Sequence, residues 1–383
     1  MKFHLPTRIV FETGSVSSLP ELIKEVYPQG KAYLITDAGV RQAGITDSVT
    51  SVLPGVEIFD QVEANPRHTT VNRAAKQVRE LKPDLIIGVG GGSVLDAAKA
   101  VALLASNPGG IENYEGKHRY KYPPIPMVAV PTTCGTGSEV TWSSVITHIE
   151  RRFKMTIKGP HTYPYLAVLD PDLLVTLPAA LTAATGMDAL VHAVEAYTVK
   201  PATLITDMFA LKASDLIFRY IERAYRDMRG DAEARENMLK ASMLAGMAFS
   251  NSDVGAVHCI SEAIGALYDI PHGVGNAAFL PYVMEFNLPV AADRYADIAR
   301  RAGIEDEDSG KAALRLISLI KDMSQKLKIP SVINLGIQEG QFLEIARKAY
   351  QNNSNPSNPR EAGIDDYLHI LSRALAPDEE SKG

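Results

Sequence analysis

Several features that mark secreted, membrane-spanning or nucleic-acid-binding proteins are missing from this sequence. Only two cysteines occur among its 383 residues, so a disulfide framework is excluded and a reducing compartment fits. No run of about 18 apolar residues could span a membrane, and the first residues lack the apolar stretch of a signal peptide. Acidic residues exceed basic ones by 45 to 39, without a basic stripe, which argues against nucleic acid. We therefore expect a cytoplasmic protein whose partners are small molecules.

The order of apolar runs and helical patterns predicts two domains, as does the length of the chain at about 150 residues per domain. Short β-branched runs alternate with helical stretches in the first half, at 32–36, 84–89 and 127–130. This alternation is typical of a parallel sheet covered on both faces. After Pro178 the pattern changes to amphipathic helices, at 186–198, 203–225, 231–249 and 310–326, with breaks at Pro201, Gly230, Gly273 and Pro330. We predict an α/β domain over residues 1–178 and an all-helical domain over residues 179–383.

A glycine-rich turn stands where the second of these strands is predicted to meet a helix. Gly90, Gly91 and Gly92 are followed by Ser93. Glycines let backbone N–H groups approach an anion, and a helix N-terminus adds the positive end of its dipole. The run differs from the Gly-x-Gly-x-x-Gly pattern, since Ser93 stands at the third glycine position, and from a Walker loop. It predicts a pyrophosphate-binding turn, and a tight turn without a ligand is the alternative.

Two other segments follow predicted strands and extend this dinucleotide hypothesis. Asp37 comes after the strand at 32–36, where a carboxylate accepts hydrogen bonds from ribose hydroxyls and repels a 2′-phosphate. This favours NAD(H) over NADP(H), although Asp37 would equally suit a turn. The run 131–141, rich in hydroxyl groups and glycine, suits a second wall around a polar ligand.

Three histidines and one aspartate offer ligands for a metal ion. Asp188 and His192 lie four residues apart on one face of a predicted helix. His258 is expected in the middle of an apolar helix, and His272 in the loop after Pro271. Such a set suits Fe(II) or Zn(II) and leaves positions open for a substrate oxygen. Each residue alone is more typical of a core histidine or a surface pair, so the joint pattern carries the prediction.

Five motifs together resemble the iron-containing alcohol dehydrogenases, a family whose fold is shared with glycerol dehydrogenase and dehydroquinate synthase. The motifs are Gly90-Gly91-Gly92-Ser93 with Asp96 and Lys99, the runs 131–141, 181–190 and 268–273, and Asn358-Pro359-Arg360. The similarity extends from about Phe11 to the C-terminal helix. It implies a dehydroquinate synthase-like fold, in which an α/β dinucleotide-binding domain and an all-helical domain enclose cofactor and metal.

The resemblance also implies roles for individual residues. The metal, Fe(II) or Zn(II), would be held by Asp188, His192, His258 and His272. The contacts to NAD(H) would come from Asp37, Asn65, Gly91, Gly92, Ser93, Asp96, Thr132, Thr133, Thr136, Ser138, Val140, Lys154 and Leu173. Lys158 is an alternative to Lys154 as the lysine that contacts the ribose.

One position departs from the family pattern. Many members carry a histidine one helical turn after His258, where this chain has Glu262. Because the two positions share a helix face, we expect Glu262 to face the cleft. It could relay protons, bind substrate, ligate the metal or form an ion pair elsewhere, and we count it with His258 and His272 as a candidate catalytic residue. Trp142, the single tryptophan, is expected either beside the substrate or in the core.

These residues predict hydride transfer between NAD(H) and a small alcohol or aldehyde, with the metal polarising the carbonyl. Alternatives of the same fold are a glycerol dehydrogenase-like enzyme, a maleylacetate reductase-like enzyme that works without metal, and a dehydroquinate synthase-like lyase. The lyase would need a basic cluster, and the cleft motifs contain few Arg or Lys residues. A non-enzymatic NAD-binding protein would leave the four ligands without a purpose. The family implies a homo-oligomer, a dimer or larger.

Overall fold

The computed structural model describes residues 3–25, 27 and 30–376, and these ranges form strands followed by helices. The polar tail 378–383, which the sequence predicts to be a loose end, lies outside them. The strands are β1 (Arg8–Phe11), β2 (Ala32–Ile35), β3 (Glu57–Phe59), β4 (Leu85–Gly90), β5 (Gly116–Lys117), β6 (Met127–Pro131), β7 (Ser143–His148), β8 (Phe153–Lys158) and β9 (Leu166–Leu169). Helices in the same part of the chain are α1 (Leu19–Lys24), α2 (Ala38–Gln42), α3 (Ile45–Val52), α4 (His68–Leu81) and α5 (Gly92–Ser106).

The remaining α-helices follow the last strand. They are α6 (Ala179–Thr198), α7 (Leu204–Asp227), α8 (Ala232–Asn251), α9 (Ala256–Tyr268), α10 (His272–Arg301), α11 (Ser309–Lys326), α12 (Phe342–Gln351) and α13 (Ile364–Leu375). No strand follows Leu169 among the described residues. The fold is therefore a parallel-sheet N-terminal domain and a helical C-terminal domain, whereas the boundary at residue 178 stays a prediction. None of the described helices has the length and apolar character needed to cross a bilayer.

Six parallel strands form the main sheet in the order β1-β9-β6-β4-β2-β3. The strand order reverses between β2 and β4, and ligands of such sheets bind beside the carboxyl ends of the strands at this kind of switch point. In the observed register Ile35 pairs with Gly88, and Gly90 pairs with Pro131. The turns that follow β2, β4 and β6 are thus neighbours at one edge of the sheet. A smaller sheet, β5-β8-β7, packs beside α5 and extends this edge.

Apolar side chains fill both faces of the main sheet. One core cluster lies between α4, α5 and the small sheet, and β4 is buried along its whole length. The other cluster runs without a break from the opposite sheet face into the helical domain. There α6 packs between α7, α8 and α10, and every residue from Gly186 to Thr198 is buried. This central helix carries Asp188 and His192 into the interior.

Local predictions for two histidines and one glycine were wrong. His272 is the first residue of α10 rather than part of a loop, and Gly273 lies inside that helix rather than at a break. The glycine is needed for a different reason, because a Cβ there would meet the Ala184 carbonyl oxygen at 2.4 Å. His258 lies in the first turn of α9, not in its middle. Both corrections place a histidine at a helix start, where the chain turns back toward α6.

Candidate metal centre and cofactor cleft

Three helices bring the predicted metal ligands together. Asp188 and His192 project from α6, one turn apart, while His258 and His272 come from the starts of α9 and α10. One ligand atom from each of these residues lies within 4.8 Å of the others. Asp188, His192 and His258 are buried, and the His272 side chain keeps 27% of its exposure. The cluster is thus closed on the protein side and open through His272.

The nitrogen atoms in the cluster face one another. His192 Nε2 lies 3.0 Å from His258 Nε2, and His272 Nε2 lies 3.8 Å from Asp188 Oδ1. Burial lowers the pKa of His192 to about 4, and burial also holds the pKa of His272 well below its ordinary value. Burial opposes protonation of His258 as well, but the hydrogen bond and charge of Glu195 raise its pKa. Neutral imidazoles with converging lone pairs are the form that binds a metal.

The amide of Asn276 shows that this arrangement fits a cation. Its Nδ2 lies 2.7 Å from Asp188 Oδ1 and 3.1 Å from both His258 Nε2 and His272 Nε2. An amide has two hydrogens and cannot satisfy three acceptors. Its own Oδ1 is buried without a hydrogen-bond partner in the described part of the chain. A divalent ion bound by the aspartate and the imidazoles satisfies the surplus acceptors, and this donor set suits Fe(II) or Zn(II).

The glycine turn lies across the cleft from this cluster. β4 ends at Gly90, and α5 begins at Gly92, so the first N–H groups of a 15-residue helix face the opening. A Cβ on Gly92 would lie 2.4 Å from Thr136 Cγ2, and one on Gly91 would lie 3.0 Å from Thr133 Cγ2. Only glycine leaves this space free, which fits a turn that receives a phosphate group.

One cleft connects the two halves of the site. Its lining includes Gly92, Ser93, Asp96, Thr136 and Ser138 on the sheet side. On the helical side it includes His192, Phe249, His258, Glu262 and His272. A dinucleotide whose phosphates rest on the turn therefore has room to extend toward the histidines.

Comparisons with known proteins agree with this geometry. The family model "Iron-containing alcohol dehydrogenase" matches residues 6–171, and the model of the C-terminal domain of the Fe-containing alcohol dehydrogenase family matches residues 182–375. The NAD-dependent methanol dehydrogenase of Bacillus methanolicus is 37% identical over 380 residues, covering 97% of this chain and 99% of that protein. The chain belongs to the iron-containing alcohol dehydrogenase family. Membership makes it an NAD(H)-dependent alcohol dehydrogenase, and the other enzymes of this fold weighed above are not favoured.

Two further relatives of this iron-containing alcohol dehydrogenase extend the comparison. The 1,3-propanediol dehydrogenase of Klebsiella pneumoniae is 40% identical over 354 residues, which is 90% of this chain and 91% of that protein. A crystal structure of 1,3-propanediol oxidoreductase superposes with a TM-score of 0.93 at 38% identity, covering 97% of this chain and 99% of that one. The family relationship thus extends over both domains.

Seven of the thirteen predicted cofactor residues line the cleft, and the other six lie outside its lining. Asn65, Gly92, Ser93, Asp96, Thr136, Ser138 and Lys154 line the cleft, while Gly91, Thr132 and Thr133 lie in the turns beside it. Asp37 lies two residues after β2, outside the cleft lining, and caps α2 through a hydrogen bond that its Oδ1 accepts from Val40 N at 2.8 Å. Val140 is buried beneath the loop, and Leu173 packs into the core. Neither of these two side chains is part of the cleft lining.

The structure shows the contacts of Glu262, Lys154 and Trp142, whose roles the sequence leaves open. Glu262 lines the cleft, its Oε2 accepts a hydrogen bond from Asn352 at 2.6 Å, and it lies outside the group of converging ligand atoms. The Lys154 ammonium donates to Asn65 Oδ1 at 2.8 Å, and burial lowers its pKa. Lys158 also lines the cleft, 3.8 Å from Asp253. Trp142 lines the same cleft and stacks on Tyr163.

Three residues of this site are absent from the sequence analysis as functional candidates. Glu195 contacts His258, and Asn276 contacts the ligand cluster. The buried Lys99 ammonium donates to Ser138 Oγ at 2.7 Å and so connects α5 to the loop of residues 131–141. A carboxylate in the apolar helix α6, three residues after His192, was a usable signal for Glu195. Asn276 follows His272 by four residues, but the helix that places it on the same face was not predicted.

Proposed function

We propose that this chain interconverts a small alcohol and its aldehyde by hydride transfer to or from NAD(H) at a protein-bound divalent metal. One observation carries the proposal. Four ligand atoms lie within 4.8 Å of one another, and the three histidines among their residues line the same cleft as a glycine turn at a helix start. Hydride transfer needs the nicotinamide and the reacting carbon in one geometry, and a shared cleft meets that need.

Asp188, His192, His258 and His272 would hold the metal, with Fe(II) and Zn(II) as candidates. A divalent ion bound there supplies a Lewis acid for the substrate oxygen, and the nicotinamide supplies or accepts the hydride. The chain shields the inner side of this site from water, because Asp188, His192 and His258 are buried and Phe249 stacks on His192 at 4.3 Å between ring centroids. The phosphate-binding turn anchors the other end of the cofactor through the N–H groups of α5.

Glu262 is our candidate for the group that holds the alcohol proton. It faces the cleft one helical turn beyond His258, while the amide of Asn352 keeps its carboxylate in place. The negative charge of Glu262 acts to raise the pKa of Lys154, against the larger effect of burial, and both residues line the cleft. A carboxylate is suited to accept a proton during alcohol oxidation and to return it during aldehyde reduction.

The substrate is proposed to be small. The relatives named above are a methanol dehydrogenase and a 1,3-propanediol dehydrogenase. Phe249 stacks on His192, and Trp142 lines the same cleft, so both side chains limit the size of the group that can enter.

The experiment strips the purified enzyme with a chelator, reloads it separately with Fe(II) and Zn(II), and follows NADH oxidation with a panel of small aldehydes. We expect no turnover after stripping, recovery with at least one metal, and loss of bound metal and activity in His272→Ala. His369→Ala is the matched control, because His369 is exposed on α13. Full turnover in the stripped enzyme would refute the metal-dependent function.

We also propose a cytoplasmic location and a homo-oligomer of two or more copies. Cys134 and Cys259 are buried free thiols, which agrees with a reducing compartment. The oligomeric proposal rests on the family resemblance. Light scattering on the purified protein tests it, and a mass equal to one chain would contradict it.

A further inference from the structure

A buried carboxylate lies directly behind one of the four proposed ligands. Glu195 follows His192 by three residues on α6, and only 4% of its surface is exposed. Its Oε2 lies 2.6 Å from His258 Nδ1, and its Oε1 accepts the backbone N–H of Val257 at 2.8 Å. Both oxygens are therefore used at the start of α9, where His258 enters the cluster.

The beginning of α9 explains why this carboxylate is held in one orientation. Gly255 precedes the helix and offers no side chain to cap it, so the first N–H groups need acceptors from elsewhere. Asn358 accepts from Ala256 N at 3.1 Å, and Glu195 accepts from Val257 N. Two anchor points, one on the backbone and one on the imidazole, fix the Glu195 side chain.

This contact decides which nitrogen of His258 carries a proton. A carboxylate only accepts hydrogen bonds, so Nδ1 must be the protonated nitrogen of the neutral ring. The lone pair is then on Nε2, which faces His192 Nε2 at 3.0 Å. By contrast, the Nδ1 atoms of His192 and His272 have no hydrogen-bond partner in the described part of the chain. His192 and His272 come no closer than 3.8 Å to the carboxylate of Asp188, so among these three histidines only His258 lies within hydrogen-bond distance of a carboxylate.

We propose that Glu195 is a positioning residue that fixes the tautomer and ring orientation of His258 and thereby raises the metal affinity of the site. The inference rests on the proposed function, since it assumes that the four ligands bind a metal. Carboxylates behind metal-bound histidines typically contribute about 10- to 100-fold to metal affinity. Glu195 touches neither of the reacting partners, so its effect should appear in metal binding before it appears in catalysis.

Glu195→Gln is the main test. Glutamine has one acceptor oxygen for two donors, so its NH₂ group must face either Val257 N–H or His258 Nδ1. We expect metal-stripped protein to bind Zn(II) about 10- to 100-fold more weakly in a chelating-dye competition, and the Co(II)-loaded variant to show an altered ligand-field spectrum. Asp170→Asn is the matched control. Asp170 is also a buried carboxylate that accepts backbone N–H groups, those of Gly14 and Val16, but it lies outside the cluster.

The result that overturns the inference is a folded Glu195→Gln protein whose Zn(II) affinity is within twofold of the unaltered chain. If the variant does not fold, NMR of the unaltered Zn(II)-loaded protein with ¹⁵N-labelled histidine shows which ring nitrogen of His258 carries the proton. We expect one slowly exchanging Nδ1–H signal, assigned by its absence in His258→Asn, and an Nε2–H tautomer of His258 would overturn the inference. Zn(II) binding without aldehyde reduction would contradict the proposed function alone.

Discussion

Glu139 offers a pH-dependent test of how tightly the loop of residues 131–141, beside the glycine turn, is packed. It lies in a short 3-10 helix, Ser138–Val140, is 2% exposed, and its Oε1 lacks a hydrogen-bond partner in the described chain. Burial raises the pKa of this carboxyl from 4.5 to about 7, against the opposing charge of Lys99. The folded protein therefore keeps the proton over a pH range in which the unfolded chain releases it.

The sign and size of the effect follow from this difference. Below about pH 4.5 both states hold the proton, and the stabilisation is fully present. As pH rises toward 7 the free energy of unfolding falls by about 1.4 kcal/mol per pH unit, on the order of 3 kcal/mol in all. Glu139→Gln removes the titration, so we expect the variant to gain about 2 kcal/mol relative to the unaltered protein between pH 5 and 7.5, since part of the stabilisation is already lost at pH 5. Any constant cost of the buried amide cancels in that comparison.

The measurement is urea unfolding of metal-free protein at both pH values, followed by the fluorescence of Trp142, the single tryptophan, three residues beyond Glu139. Lys99, whose pKa burial lowers to about 8, stays protonated over most of this range. Glu57→Gln is the control, because Glu57 is exposed on β3 and should leave the pH dependence unchanged. Parallel stability curves for Glu139→Gln and the unaltered protein would refute the reasoning.

Three further predictions test the cofactor side and the thiols. Gly92→Ala would place a Cβ 2.4 Å from a threonine methyl group, so we expect NADH to bind about tenfold more weakly in a fluorescence titration, a loss of about 1.4 kcal/mol. Gly340→Ala is the control, because a Cβ there meets no atom within 4 Å, and NADH affinity should be unchanged. Asp37→Ser keeps a helix-capping side chain but removes the charge, so the activity ratio of NADPH to NADH should rise about tenfold, and an unchanged ratio would contradict the ribose assignment. Cys134, whose pKa burial raises to about 11, and Cys259 should both remain unreacted with a thiol reagent near pH 8 until the protein is unfolded, and prompt labelling of the folded protein would contradict their burial.

The parts that the sequence could predict are those that depend on local spacing. The β-branched runs predicted the central strands, and three consecutive glycines after one of them predicted a turn from strand to helix, which the structure has between Gly90 and Gly92. Asp188 and His192, four residues apart, also needed only a helix to share a face. The metal site as a whole was predicted only from the four residues taken together. Their spacing along the chain does not show that α6, α9 and α10 bring them to one place.

The parts that could not be predicted depend on contacts between helices. α10 was not predicted, because Gly273 indicated a break, yet this glycine and two prolines, Pro281 and Pro289, lie within its 30 residues. Gly273 is there because α10 starts against the backbone of α6. Asn276 could not be assigned to the metal cluster without that helix.

The role of Glu195 shows that the four metal ligands alone do not explain how this site is held in place. Because a glycine precedes α9, the first N–H groups of this helix have no local side-chain cap, and buried side chains from α6 and from the segment after α12 accept their hydrogen bonds. The same carboxylate that caps α9 also orients His258. Helix capping and ligand orientation are therefore coupled here, so a change at Glu195 should weaken both the start of α9 and the binding of metal. The Asp170→Asn control separates metal binding from the general cost of changing a buried carboxylate, because Asp170 accepts the backbone N–H groups of Gly14 and Val16 and contacts none of the ligands.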